Sequence, residues 1–194
     1  MLNHIAKKTS FLSALSYALI AVGVVLRLVQ YGAGRSLWGD EAKLALNLVN
    51  RTYPELFQVL DYDQVAPVGF LLVEKAIAQV LGTSEAALRL LPLLAGIGTL
   101  AVAYVLARRV LSPVAVPIAL AFIACSDRLV YYASELKPYA SDVFLTLVIL
   151  PYPTNNPKTI TRAHAIRAEA IRSIAVWISY PAVFALAGSA QFST

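Results

Sequence analysis

Two apolar runs constrain this chain more than any other feature. The run 11–29 carries a single charge, Arg27, near its end, and the run 88–107 carries only Arg89, near its start. About 20 predominantly apolar residues in a helix cross a bilayer core, so each run is long enough to span. Lys7 and Lys8 precede the first, and Arg108-Arg109 closes the second. A basic start followed by an apolar run also fits a cleavable signal peptide. Gly32-Ala33-Gly34 is a poor cleavage site, however, and the later apolar runs favour an uncleaved anchor. Arg27, at the far end of the first run, is placed to snorkel toward headgroups.

Composition agrees. Of the 194 residues, 59% are hydrophobic and 14% charged, where a soluble domain carries about 25% charged residues. This excludes a disordered chain, a collagen, a nucleic-acid-binding arm and most soluble enzymes. Cys125 is the only cysteine, so no intrachain disulfide can form.

Further apolar runs cover 113–125, a fourth stretch from 131 or 139 to 150, and 174–190. Between the last two lies a basic, proline-containing stretch, 151–172, with Pro151, Pro153, Pro157, Lys158, Arg162, Arg167 and Arg172. The segment 66–81 is apolar but carries Glu74-Lys75 at its centre, and charges there are costly in lipid. Sidedness decides its placement. If 66–81 lies along the membrane surface, Lys7/Lys8, Arg108/Arg109 and the 158–172 cluster share the cytoplasmic side, as basic loops do. The expected fold is therefore all-α: a membrane protein of about five transmembrane helices with an amphipathic surface helix in the first external loop. Residues 1–150 form the main transmembrane part, 151–172 a cytoplasmic stretch and 173–194 the last transmembrane helix.

The external loop, 30–87, then holds seven acids (Asp40, Glu41, Glu55, Asp61, Asp63, Glu74 and Glu85) against Arg35, Lys43, Arg51 and Lys75, a net of −3. Asp40 and Glu41 follow Trp38-Gly39 and open a helical pattern. Asp40 as an N-cap with Glu41 in the first turn is the commoner use of such a pair. The functional alternative is a carboxylate above the bilayer acting as general base on an incoming hydroxyl or amine. Asp61 and Asp63 have the chemistry to hold a divalent cation. Two acids in a solvated loop without a nearby histidine more often bind nothing, and no metal site is assigned. His4 and His164 lack the partners of catalytic or metal-binding histidines. Arg89 is expected to snorkel, or to pair with a phosphate or with an acid of the external loop. Lys137, set among Tyr131, Tyr132 and Tyr139, can neutralise a lipid-linked phosphate, and Asp142 is an acid inside an apolar run that calls for a reason. No phosphate-binding glycine loop and no Ser-His-Asp set is present, and acids gathered in a loop rather than at mid-membrane do not suit a transporter.

An ordered set of motifs resembles the GT-C membrane glycosyltransferases, the broad group of protein O-mannosyltransferases and aminoarabinose lipid A transferases. In chain order they are Leu37-Trp38-Gly39-Asp40-Glu41, an Ala66-Pro67 helix ending in Leu81-Gly82-Thr83-Ser84-Glu85, Leu88-Arg89-Leu90-Leu91-Pro92, Tyr104 with Arg108-Arg109, and Tyr132-Ala133-Ser134-Glu135-Leu136-Lys137-Pro138-Tyr139. The resemblance covers residues 10 to 150, and the segment from Trp177 is similar to a later family segment. It implies transfer of a sugar from a polyprenyl-phosphate donor to an acceptor at the external face of a bacterial plasma membrane. It further implies Asp40 as catalytic base with Glu41 in support, Arg89 and Lys137 on the donor phosphate, and Asp61, Asp63 and Tyr139 as weaker substrate contacts. Where members often carry His-Pro-Pro, this chain has Val65-Ala66-Pro67. Family members are also much longer, so the chain reads as the N-terminal part of such an enzyme. The alternative is a non-catalytic membrane fragment or an assembly partner of a split glycosyltransferase.

Overall fold

A computed structural model describes residues 2–150, 174–182 and 184, with side chains from residue 10 onward. The described residues are helical, without strands. Among the described residues, two helices are long and apolar enough to cross a membrane: α1 (Leu2–Gly32), through its part Ser10–Gly32, and α5 (Leu90–Val110). They run antiparallel, since Tyr17 packs on Tyr104 with ring centroids 5.4 Å apart, Gly23 faces Leu100, and Arg27 faces Gly96. The two ends of this pair therefore differ in charge. The α1 start and the α5 end, with Arg108-Arg109, lie at one end, and the folded region 33–89 lies at the other.

Helix α6 (Ala115–Cys125) returns alongside α1, and α8 (Tyr139–Ile149) descends alongside α5. Small residues allow these approaches: a Cβ on Gly23 would lie 2.9 Å from that of Ala124, and one on Gly98 would lie 2.7 Å from the Phe144 ring. The expected third and fourth spans are present as shorter apolar helices. Each is a helix of 11 residues, about 17 Å long, roughly half a hydrocarbon core. The third continues past a break at Ser126, whose hydroxyl accepts from the Leu129 N–H at 3.4 Å and caps α7 (Asp127–Tyr132). With α7 included it follows α1 as far as Gln30, which lines a common cavity with Asp127 and Tyr131.

Arg27 does not snorkel. It is fully buried, donating to the carbonyls of Gly23 at 2.9 Å, Ala124 at 3.4 Å and Ile123 at 3.2 Å. The last carbonyls of α6 lack partners within their own helix, so the guanidinium supplies them where the helix breaks. Of the expected fifth span, residues 174–178 are helical and the helix is interrupted at Ser179-Tyr180, ahead of Pro181, as the residue before a proline tends to be. Ala175 and Ala182 pack on Ile149, and the Trp177 carbonyl comes so close to Gly69 that a Cβ there would lie 2.6 Å away. The stretch 151–172 and most of 183–194 lie outside the described residues.

The outer faces of the bundle are apolar. Val22, Val25 and Val29 of α1, Leu94 and Val105 of α5, and Ile118 and Phe122 of α6 are all exposed.

The region 33–89 folds on its own core. Helices α2 (Gly39–Asn50) and α3 (Val68–Leu81), with the short α4 (Glu85–Leu88), close over Leu44, Leu48, Leu56, Phe70 and Leu71, and Leu136 and Leu88 tie this core to the bundle. Helix α3, expected over 66–81, starts two residues later, after Pro67. It buries charged residues alongside the apolar Phe70, Leu71 and Ala78. Glu74 and Lys75 point inward and are buried, whereas Val73, Val80 and Leu81 are exposed beside Leu72, Ala76 and Ile77. Lys75 donates to the Leu48 carbonyl at 2.9 Å, and Glu74 has no hydrogen-bond partner among the described residues. Desolvation pushes the Glu74 carboxyl up to about 9, so it is held neutral.

Candidate functional site

The site lies where the start of α2 meets the segment 131–142. Trp38 is the N-cap of α2 in extended backbone, which corrects the expectation that Asp40 fills that position. Asp40 instead stands in the first turn, half-exposed, with an oxygen 3.7 Å from Lys43 Nζ. A carboxylate there complements the helix dipole and stays open to solvent.

Glu41 turns the other way and is fully buried. Its Oε1 accepts from Arg89 Nε at 3.1 Å and from the Leu136 N–H at 2.8 Å, while its Oε2 accepts from Arg89 Nη2 at 2.8 Å and from the Trp38 N–H at 3.4 Å. Arg89 is buried as well and also donates to the carbonyls of Arg35 and Ser36. Of the pairings open to Arg89, the structure realises the one with a loop acid. The guanidinium is spent on holding α2, the 35–36 turn and the 136 backbone together, and its fork faces no open space. Glu41 has the same duty. The pair thus positions Asp40 one residue away rather than standing in the open site itself.

Other side chains gather between the start of α2 and the 131–142 segment. The Arg35 guanidinium lies 4.2 Å from the Tyr131 ring centroid and donates to the Ser134 carbonyl at 3.5 Å, and its Nε has no partner among the described residues. Lys137 is buried and donates to Gln64 Oε1 at 2.7 Å. Glu135, buried, accepts from Trp38 Nε1 at 3.3 Å through Oε1, and its Oε2 has no partner among the described residues. Burial pushes the Glu135 carboxyl up, offset in part by the Trp38 bond and by the charges of Arg35 and Lys137. Tyr139, partly exposed, packs on Tyr132 with centroids 4.8 Å apart and feels the charges of Glu135, Asp40 and Asp142. Asp40, Lys137 and Tyr139, far apart in sequence, are thus brought to one locality with Arg35 and Glu135.

Asp61 and Asp63 serve elsewhere. Asp61 pairs with Arg51 at 3.0 Å, and its N–H donates to Asn47 Oδ1 at 2.9 Å, which pins a tight turn to α2. Tyr62 and Asp63 hold positive φ there. Among the described residues no group of three His, Cys, Asp or Glu side chains is arranged to hold a metal ion.

Chemically the locality offers a half-exposed carboxylate, a guanidinium stacked on Tyr131, a buried lysine held by Gln64, and aromatic faces, all at one end of an apolar bundle. Sequence reasoning counted Arg35 only as loop charge and Glu135 only as part of a motif. Arg35 stands three residues before the α2 cap and five before Asp40, and that closeness in sequence was the available signal. Comparison with protein-family models, with curated proteins and with solved structures finds no match to this chain.

Proposed function

We propose that the chain is an integral membrane protein that takes part in transfer of a sugar from a polyprenyl-phosphate donor to an acceptor. The donor would be met where α2 and the 131–142 segment cap the bundle. The observation that carries this reading is a half-exposed Asp40 whose charge reaches Tyr139, with Arg35 and Lys137 acting on the nearby Glu135, at the rim of helices whose outer faces are apolar. A carboxylate can deprotonate the acceptor while cations stabilise the departing lipid phosphate. Arg35 and Lys137 take the phosphate role, because Arg89 is committed to Glu41. A donor lipid anchored by its tail would present its phosphate at this depth, and the exposed apolar face of α3 would rest on the same leaflet.

The sidedness follows from charge: the Arg108-Arg109 end is cytoplasmic and the 33–89 region external. A photoreactive polyprenyl-phosphate sugar incubated with the chain in proteoliposomes should label the 131–142 segment, and Arg35→Ala with Lys137→Ala should remove the label. Equal labelling of that double variant contradicts the phosphate role.

The second reading is a non-catalytic assembly partner. It is favoured by one observation: Ile118 and Phe122 leave an apolar stripe on the short helix α6, a face suited to neighbouring helices.

A further inference from the structure

At the opposite end of the bundle, α1, α5 and α6 enclose an open cavity of about 220 Å³. Its polar wall is Ser13, Ser16, Tyr104 and Arg108, and its apolar wall includes Leu12 and Val116. None of these residues takes part in the site around Asp40. Ser16 is occupied, donating to the Leu12 carbonyl at 2.9 Å, while Ser13 is exposed.

Arg108 is poised rather than spent. Its Nη1 donates to the Tyr104 hydroxyl at 3.4 Å, and its guanidinium carbon lies 5.4 Å from the Tyr104 ring centroid. Tyr104 is itself held by its ring contact with Tyr17. Arg108 is exposed and lines the cavity, and its remaining N–H groups have no hydrogen-bond acceptor among the described residues. A guanidinium fork presents paired N–H donors that match phosphate oxygens. Cations between helices at the cytoplasmic end of a bundle are where anionic headgroups bind.

We infer that this cavity binds the phosphate of an anionic phospholipid of the cytoplasmic leaflet. Arg108 and the Ser13 hydroxyl hold the phosphate, and Leu12 and Val116 lie along the start of the acyl chains. The mixed lining selects a lipid over a free anion, because half of the wall has nothing to offer a hydrated phosphate. The inference rests on the membrane reading of α1 and α5 and is independent of sugar transfer.

The test uses the full chain in detergent micelles, with dioleoyl phosphatidylglycerol and dioleoyl phosphatidylcholine as probes and native mass spectrometry counting retained lipids. Wild type should retain phosphatidylglycerol in preference. Arg108→Ala should lower that retention about fivefold, the factor for one basic residue at an anionic headgroup. Arg109→Ala removes the same charge from a residue outside the cavity lining and should lower it less. Equal retention of the two lipids by wild type overturns the site, as does an Arg108→Ala chain no different from Arg109→Ala. Displacement of the lipid by millimolar inorganic phosphate overturns its assignment to a lipid. Alkaline carbonate extraction separates the underlying reading. A chain released from membranes contradicts the membrane assignment itself, while a chain that stays and shows no preference contradicts this cavity alone.

Discussion

Glu41 and Arg89 make the sharpest quantitative prediction, because every partner of the pair is visible. Replacing Glu41 with leucine leaves the Arg89 charge buried without its counter-ion. It also strips acceptors from the Leu136 and Trp38 N–H groups. Breaking a buried pair from one side costs about 3–5 kcal/mol, and a buried N–H left unpaired adds about 1–3 kcal/mol. These costs overlap, since two carbonyls still receive Arg89. The expected loss is about 4 kcal/mol for Glu41→Leu and a similar loss for Arg89→Met. Removing both partners should restore most of it, because apolar replacements of a buried pair are often neutral. Denaturant unfolding in micelles, followed by Trp38 fluorescence across the four members of a double-mutant cycle, measures the coupling. Single variants within about 1 kcal/mol of wild type would refute the clamp and return Glu41 to the reacting centre.

Other outcomes follow from single residues. The Glu74 carboxyl rises from 4.5 to about 9 on folding. Below pH 4.5 both states hold the proton and nothing is lost. Between these values only the unfolded chain ionises, so stability falls as pH rises, by about 1.4 kcal/mol per unit. Glu74→Gln should abolish that slope and stabilise the chain by about 3 kcal/mol at pH 7; unfolding profiles that stay parallel to wild type from pH 5 to 8 would show a partnered carboxylate. Gly69→Ala drives a methyl into the Trp177 carbonyl and should cost about 1–3 kcal/mol in thermal unfolding, whereas Gly39→Ala meets open space and should cost less. Ser84→Cys in a Cys125→Ser background should react with an impermeant maleimide from outside the cell; protection there would reverse the sidedness.

Local patterns carried much of this fold. The runs 11–29 and 88–107 are helices because their apolar residues are continuous, and Ser126-Asp127 is a visible cap signal at the end of the third run. What could not be read locally is what each charge meets. Arg27 resembles a snorkelling residue until α6 ends beside it with unpaired carbonyls, and where α6 ends depends on a break almost a hundred residues away in sequence. Glu74-Lys75 looks costly in an apolar helix, but the α3 core turns both inward, and Lys75 finds a carbonyl of α2. At the site, Asp40 and Lys137 were legible as candidates from residue type and order. That Arg89 could meet a loop acid was legible too, but not that the acid is Glu41, because their pairing joins residues 48 apart through a buried bidentate contact.

Sugar transfer itself is tested most directly with a radiolabelled polyprenyl-phosphate sugar and membranes carrying the chain. Wild type should move label from the donor lipid to an acceptor. Asp40→Asn, which keeps shape but removes the base, should lower that rate by about 10²–10⁴-fold while leaving the unfolding midpoint unchanged. Transfer by Asp40→Asn at the wild-type rate would contradict the assignment of this carboxylate and, with it, the proposed chemistry.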